Sequence, residues 1–223
     1  MSMAQDKPIR LAVLVSGGGT TLQNLIDEIT AKRLNAQIGV VIGSRAGIRA
    51  LERASEAKIM NFVVQPGVDA VGEFSRKVFE LCDDAGVDLV CLAGWLSLLE
   101  IPQKYEGRVM NLHPALLPGQ FGGKGMFGRR VHEAVIAHGC KVSGCTVHFV
   151  DNDYDAGPII IQKCCPVLED DTPESLAHRV GELERVVYPE AIRLYAAGAL
   201  AINGRRVRIA STAITNPPPE GLG

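Results

Sequence analysis

The segment that most constrains the fold is the apolar run Ile9–Ser16, which three glycines and then a helical pattern from Leu22 follow directly. A continuous run of β-branched and aliphatic residues is typical of a strand buried on both faces. Glycines between a strand and a helix allow the tight turn that starts a crossover to a parallel neighbour. The beginning of the chain therefore predicts a parallel sheet with helices packed against it.

Strands and helices alternate through the rest of the first half. Further strands are predicted at residues 37–43, 61–65, 88–93 and 108–112, and helices at residues 22–32, 49–57 and 71–85. This alternation indicates parallel βαβ units. We therefore predict the α/β class, with a single doubly wound, mainly parallel sheet.

The second half departs from this alternation. Two longer strands are predicted at residues 143–150 and 158–167, on either side of the acidic turn Asp151–Asp155. A long helix is expected at residues 173–197, with Asp171 as its N-cap. Near the end of the chain, Asn203-Gly204 favours a type I′ turn and so predicts a small C-terminal β-hairpin. We expect an N-terminal tail, one domain and a C-terminal tail, at residues 1–8, 9–209 and 210–223.

Composition excludes several classes of function. Hydrophobic residues make up 47% and charged residues 22% of the chain, which is typical of globular proteins and not of disordered ones. The net charge of −2, without a Lys/Arg stripe, gives no reason to expect a nucleic-acid or membrane partner. No apolar run approaches 18 residues, and the N-terminus lacks the apolar region of a signal peptide. The six cysteines contain no CxxC pair, so we expect free thiols and a cytoplasmic location.

The glycine-rich loop Ser16–Thr21 is the first candidate binding site. Free amides at a helix N-terminus, together with the helix dipole, bind anions such as phosphate. A dinucleotide-binding loop would place glycine at Leu22 and an acidic residue at Ser44-Arg45, which favours a monophosphate instead. Since an arginine at position 45 could bind a 2′-phosphate, an NADP-binding Rossmann oxidoreductase remains an alternative.

Asn111 and His113 form the second candidate site. They lie two residues apart at the end of the fifth predicted strand, so both side chains project from one face. Open α/β sheets bind their ligands at these carboxyl ends. An amide beside an imidazole can stabilise an oxyanion that develops on a carbonyl oxygen. The alternative is a histidine that satisfies backbone groups of the turn.

The third candidate site follows the sixth predicted strand. Thr146 and His148 share one strand face, and Asp155 lies beyond them at a tight turn. Asp155 could pair with a histidine of another strand, raise its pKa and keep it charged. Calcium is not expected in this acidic loop, because Ala156 and Gln162 stand where an EF-hand needs glycine and glutamate.

Five segments in order resemble the glycinamide ribonucleotide formyltransferase family of the folate-dependent formyltransferases, over about residues 9–208. They are SGGGTTLQNLID (16–27), AGWLSLL (93–99), NLHPALLP (111–118), GCTVHFVDNDYDAGPIIIQ (144–162) and ERVVYPEAIRL (184–194). The resemblance implies a Rossmann-like formyltransferase fold with a phosphate-binding half at about 9–107 and a folate-binding, catalytic half at about 108–209. It also implies transfer of a formyl group from 10-formyltetrahydrofolate to the amine of glycinamide ribonucleotide, in de novo purine biosynthesis.

The resemblance implies specific site residues as well. Asn111, His113 and Asp155 would be catalytic, with Asp155 holding His113 charged, and no metal is expected. The phosphate would bind Gly18, Gly19, Thr20 and Thr21, and Glu184 the glycinamide amine. The folate would lie against Leu96, Ser97, Leu98, Leu99, Asn111, Asp151, Asn152, Asp153, Tyr154 and Asp155. Thr146 and His148 would surround these groups without contacting substrate.

The chain also departs from the pattern of this family. Thr20-Thr21 replaces a usual Ser-Asn, and Ser97 and Val71 stand where basic residues are frequent. Our hypothesis is that one of three basic residues supplies the missing charge: Lys124, Arg129 or Arg130. A formyltetrahydrofolate hydrolase remains the alternative within the superfamily, and a monomer or homodimer is expected.

Overall fold

A nine-stranded sheet with helices on both faces forms the protein in the computed structural model, which describes residues 7–67 and 71–210. The strands are β1 Ile9–Val15, β2 Ala36–Gly43, β3 Asn61–Val63, β4 Leu89–Leu92, β5 Val109–His113, β6 Val142–Phe149, β7 Ile159–Pro166, β8 Leu200–Asn203 and β9 Arg206–Ile209. The α-helices are α1 Thr20–Thr30, α2 Arg49–Glu56, α3 Val71–Asp84, α4 Arg129–Ala137 and α5 Pro173–Ala196.

The strand order is β3-β2-β1-β4-β5-β6-β7-β9-β8. Strands β1 to β5 pair in parallel, whereas β6 is antiparallel to both β5 and β7. The predicted α/β class and mainly parallel sheet are confirmed. The strand order reverses between β1 and β4, and in such sheets ligands bind at the carboxyl ends beside this reversal.

Alternation along β1 explains why the helices lie on both faces. Leu11, Val13 and Val15 pack into the cluster that holds α1, α2, α4 and α5, whereas Ala12 and Leu14 pack into the cluster of α3. All five side chains are completely buried. Complete burial on both faces is what the unbroken apolar run predicted.

The N-cap prediction for the long helix was wrong by one residue. Thr172 caps α5, its hydroxyl accepting from the Ser175 amide at 3.2 Å, and the Ser175 hydroxyl accepts from the Thr172 amide at 3.0 Å. This reciprocal pair satisfies two of the free amides at the helix start. Asp171 instead accepts two hydrogen bonds from Arg179, at 2.6 and 2.9 Å, which the sequence pattern did not reveal.

The C-terminal hairpin is present, but its turn differs from the prediction. Asn203 pairs with Arg206, so the two turn residues are Gly204 and Arg205. A type I′ turn needs positive φ at both turn residues, and only Gly204 has one, at 58°. The type I′ prediction for Asn203-Gly204 was therefore wrong, because the strand pairing shifts the turn by one residue.

The predicted tails lie almost entirely outside the described residues. Strands from both predicted halves belong to one sheet. The division of the domain near residue 107 into a phosphate-binding half and a folate-binding half remains a prediction. All six cysteines lie in the described part and carry free thiols. None of the helices in this part is long and apolar enough to cross a membrane.

Candidate functional site

A cavity of about 790 Å³ opens at the carboxyl ends of β1, β4 and β5, beside the reversal of strand order. Its walls come from these strand ends, from the starts of α1 and α4, from α5 and from the loop before α4. The polar and charged side chains that line it are Ser16, Thr20, Thr21, Arg45, Asn111, His113, Lys124, Arg129, His132, Tyr154, Asp155, Glu174 and Glu184.

The predicted trio of Asn111, His113 and Asp155 comes together at this cavity. The Asn111 amide nitrogen lies 3.1 Å from Asp155 Oδ1, and His113 Nδ1 lies 3.4 Å from Asp155 Oδ2. In the pairing of β5 with β6, His148 stands opposite Asn111, and their Nε2 and Nδ2 atoms are 3.2 Å apart. Asp155 reaches this face from the loop after β6, where its backbone has a positive φ of 53°. A polar cluster of four side chains results.

The charge of His113 is set by opposing effects. Its side chain is only 3% exposed, and burial lowers the pKa of the imidazole against the raising effects of Asp155 and of the Phe121 carbonyl. Asp155 does raise the pKa of His113, as expected, but burial outweighs it. The expectation that Asp155 keeps His113 charged was therefore wrong, because the sequence could not give the degree of burial. Burial alone would raise the pKa of Asp155, yet its contacts with His148, His113 and the Gly123 amide lower it. The carboxylate is therefore ionised beside a largely neutral imidazole at pH 7.

The loop before α4 contacts two members of the trio directly. His113 Nε2 lies 2.7 Å from the Phe121 carbonyl oxygen, and the Gly123 amide donates to Asp155 Oδ2 at 2.9 Å. A Cβ atom on Gly122 would lie 2.5 Å from a methyl carbon of Leu117, so glycine permits this close approach. The glycine content of this segment was visible in the sequence, but its contact with the trio was not.

Thr146 supports the segment that follows His113. Its hydroxyl donates to the Ala115 carbonyl at 2.7 Å and accepts from the Leu117 amide at 3.1 Å and from Gln162 at 3.0 Å. In the pairing of β5 with β6, Thr146 stands opposite His113. His148, by contrast, touches Asn111 and lies 3.6 Å from Asp155 Oδ1. The two residues that were predicted to play one role therefore occupy different positions.

The glycine loop turns sharply between β1 and α1. Gly19 has φ of 73°, and a Cβ atom there would lie 2.7 Å from the backbone of Ala50, so only glycine fits. Thr20 and Thr21 line the cavity at the helix start, where free amides favour an anion. Gly18 instead offers its carbonyl to Arg53, at 3.0 Å. The predicted phosphate-binding residues thus divide into those on the cavity wall and those that shape the turn.

Arg45 belongs to the same end of the cavity. Its Nε donates to the Ser16 carbonyl at 3.0 Å, and its side chain lines the cavity. From the sequence, Arg45 was a candidate only for the 2′-phosphate of a dinucleotide. Its place after β2, beside the strand-order reversal, is the signal that could have connected it with the predicted monophosphate site.

Glu184 reaches the cavity from α5. Burial raises the pKa of this carboxyl to about 7. A carboxylate in such surroundings is stabilised by a ligand that brings hydrogen-bond donors or positive charge. Glu184 is therefore a candidate ligand-binding group, the role that the resemblance implies for it.

A second cavity, of about 50 Å³, lies on the other side of the trio. It is lined by Ser97, Leu98 and Leu99 from one loop and by Asp151, Asp153 and Tyr154 from the other. Asn152 joins the two loops, since its side chain accepts from the Ile101 amide at 2.9 Å. Leu96 lines the larger cavity. Asn111, Asp155, Trp95 and Tyr154 border both cavities, so two members of the trio lie at their junction, whereas His113 lines the larger cavity.

Two of the three basic residues proposed to supply missing charge reach the cavity. Lys124 and Arg129 line it, whereas Arg130 lies over the Phe127 ring at 5.2 Å. Arg129 forms ion pairs with Glu133 and Glu174, which leaves Lys124 as the better candidate. Val71, which stands where basic residues are frequent in the family, is the first residue of α3, and 40% of it is exposed.

The acidic loop after β6 has the geometry of a turn. Asp151 Oδ1 accepts from the Asp153 amide at 3.0 Å, as in an Asx turn. Within residues 7–67 and 71–210, the structure shows no group of three or more His, Cys, Asp or Glu side chains arranged to hold a metal ion.

Comparison with known proteins identifies the family. The family model described as formyl transferase matches residues 9–192. A solved glycinamide ribonucleotide transformylase 1 from Symbiobacterium toebii is 43% identical with a TM-score of 0.85, over 93% of this chain and 96% of its own. A solved phosphoribosylglycinamide formyltransferase from Coxiella burnetii is 35% identical with a TM-score of 0.83, over 91% and 94% of the two chains.

A curated relative is much longer than this chain. The trifunctional purine biosynthetic protein adenosine-3 from Bos taurus is 39% identical over 90% of this chain, which spans 20% of that protein's length. The family model covers most of the chain, and the two solved relatives match 93% and 91% of it, so the resemblance seen in the sequence is confirmed. The chain belongs to the formyl transferase family.

Proposed function

We propose that the protein transfers a formyl group from 10-formyltetrahydrofolate to the amine of glycinamide ribonucleotide, in de novo purine biosynthesis. The observation that carries this proposal is that Asn111 and Asp155 lie at the junction of two cavities, with His113 beside Asp155 on the larger one. A direct transfer between two substrates needs its catalytic groups at the point where the substrates meet. The names of the solved relatives agree with this assignment.

The larger cavity suits the ribonucleotide. The start of α1 and the side chain of Arg45 offer amide donors and positive charge to a phosphate at one end. Glu184 lies on the same cavity and would accept hydrogen bonds from the substrate. A ligand that runs from the phosphate site past Glu184 would bring its amine to Asn111 and His113.

The smaller cavity suits one end of the folate. Backbone groups of the loops at 96–99 and 151–155 can pair with donors and acceptors on the edge of a flat heterocycle. Ligand pockets usually measure about 300–1,000 Å³. Because this cavity is about 50 Å³, we expect the folate to extend into the adjoining part of the larger cavity or to separate the two loops.

The chemistry follows from the charges at the junction. The amine attacks the formyl carbon, and the formyl oxygen becomes an oxyanion that Asn111 and His113 can stabilise as hydrogen-bond donors. Asp155, ionised in the free protein, can accept a proton from the attacking amine or orient the imidazole that carries it. The proton must finally reach the folate nitrogen, which leaves as the carbon–nitrogen bond breaks.

His113 must exchange a partner before it can act. In the structure both of its nitrogens face acceptors, the Phe121 carbonyl and the Asp155 carboxylate. A neutral imidazole carries one proton and satisfies one of them, whereas an imidazolium satisfies both. We infer that the formyl oxygen replaces the Phe121 carbonyl at Nε2, so the loop of residues 119–128 moves during the catalytic cycle.

The test is turnover of 10-formyltetrahydrofolate with and without glycinamide ribonucleotide, followed by the absorbance of the deformylated folate. Turnover that depends on the ribonucleotide supports the transferase. Turnover without it would favour the hydrolase alternative, and no turnover in either case would refute the assignment. The free thiols fit a reducing compartment, and we propose the cytoplasm as the location.

A further inference from the structure

His132 is a buried polar group that the proposed mechanism does not use. It lies on α4, its side chain lines the larger cavity, and only 4% of it is exposed. Its Nδ1 atom is buried and has no hydrogen-bond partner among the residues that the structure describes. A buried N–H usually has a partner, so the unpaired Nδ1 indicates which ring nitrogen carries the proton.

The ring is neutral in the free protein. Burial lowers the pKa of His132, and the nearby His113 lowers it further. A neutral imidazole has one N–H donor and one acceptor nitrogen. Because buried N–H groups without a partner are rarer than unpaired acceptors, we assign the proton to Nε2 and the lone pair to the buried Nδ1. Since Nδ1 is turned into the protein, Nε2 is the polar atom left for the cavity side of the ring.

We propose that His132 binds the ribonucleotide by donating from Nε2 to the carbonyl oxygen of its glycinamide group; this inference rests on the proposed function. His132 lines the same cavity as His113 and Asn111, where the amine is proposed to react. In glycinamide, one methylene separates the reacting amine from the carbonyl. A donor on this cavity wall is therefore well placed to meet that oxygen.

The surrounding charges favour a neutral donor for this role. Glu184 and Glu174 line the same cavity, and carboxylates accept hydrogen bonds from donors and repel a carbonyl oxygen. Arg45, Thr20 and Thr21 lie at the other end, where the phosphate is proposed to bind. His132 is thus a neutral side chain on this cavity wall that can donate to the carbonyl oxygen while the carboxylates stay charged.

Two substitutions distinguish the contribution of an N–H donor at the Nε2 position from the other effects of losing the imidazole ring. A glutamine amide reaches about as far as Nε2, whereas the shorter asparagine amide reaches only about as far as Nδ1. We expect His132→Asn to weaken ribonucleotide binding about tenfold, the size of one neutral hydrogen bond, and to leave the KM for the folate unchanged. His132→Gln should stay within about threefold of the unaltered protein.

The measurements are ribonucleotide affinity by calorimetry, both KM values and the melting temperature. His138→Asn, at the exposed end of the same helix, is the matched control and should change neither affinity nor KM. A His132→Asn protein with unaltered ribonucleotide affinity would overturn the inference, as would equal losses for both substrates.

A ligand analogue in which the carbonyl is replaced by a methylene keeps the inference testable if His132→Asn folds poorly. The unaltered protein should bind this analogue about tenfold more weakly than the ribonucleotide, and His132→Gln should show a similar loss. If His132 is the partner, the loss from His132→Leu, an apolar replacement for the buried ring, and the loss from the analogue do not add. Additive losses would overturn the inference, whereas absence of ribonucleotide-dependent turnover in the unaltered protein would refute the proposed function itself.

Discussion

Replacing Glu184 by glutamine should make the protein more stable at high pH while it weakens ribonucleotide binding. Burial raises the pKa of Glu184 from its ordinary 4.5 to about 7 in the folded protein. At about 1.4 kcal/mol per pKa unit, this difference corresponds to about 3 kcal/mol of folding free energy. The glutamine side chain has nearly the same shape and carries no charge to desolvate.

The sign follows from proton binding. Between pH 4.5 and pH 7 the folded protein holds a proton on Glu184 that the unfolded chain releases, so stability falls as pH rises through this window. The contribution is fully retained below about pH 4.5 and is lost above about pH 7. The variant lacks this titration, so its stability relative to the unaltered protein should grow by about 3 kcal/mol from pH 4 to pH 8.

Urea unfolding of both proteins at pH 4, 5, 6, 7 and 8 measures this difference, with the midpoints converted through a common slope. Other titrating groups, including His113 and His132, are present in both proteins, so their effects cancel in the difference. Glu182→Gln, at an exposed position of the same helix, is the control for the loss of a carboxylate that is not buried. A stability difference for Glu184→Gln that is also flat across this range would refute the reasoning from burial.

Three further changes test other parts of the site. His113→Ala should lower kcat by about 100-fold or more without unfolding the protein, because loss of one oxyanion donor costs about 2.7–4 kcal/mol. A kcat within tenfold of that of the unaltered protein would contradict the proposed role of His113. Arg45→Gln should raise the KM for the ribonucleotide about 10- to 100-fold and leave the KM for the folate unchanged. If the variant and the unaltered protein have the same KM for the ribonucleotide, Arg45 does not bind its phosphate. Gly122→Ala should lower kcat by at least about tenfold and change the melting temperature by only a few degrees. The new Cβ would lie 2.5 Å from the Leu117 side chain and displace the loop that contacts His113 and Asp155. An unaltered kcat would show that the loop tolerates the shift.

Much of the fold and part of the site followed from periodicity. The unbroken apolar run of β1 required burial on both faces, and the structure buries it completely. Alternation along β5 and β6 predicted that Asn111 and His113 share a face, and the strand pairing sets His148 opposite Asn111. These features depend on local geometry, which a sequence expresses directly.

The contacts that escaped prediction depend on long-range packing. The Phe121 carbonyl reaches His113 through an irregular loop, for which no periodic pattern exists. The net pKa of His113 depends on how completely neighbouring elements bury it, so its direction could not be inferred from the presence of Asp155. His132 lies alone in a helix pattern, and its cavity-facing position emerges only when α4 is docked on the sheet.

The hydroxyl of Ser16 connects the two proposed substrate sites through hydrogen bonds. It accepts hydrogen bonds from Ser44 at 2.8 Å and from the Leu96 amide at 3.1 Å, and so fastens the glycine loop to the end of β2 and to the loop that begins the folate side. A displacement of the glycine loop on phosphate binding is thereby passed to Leu96 through one atom. Thermodynamic linkage then requires that the ribonucleotide and the folate change the affinity for each other by the same factor.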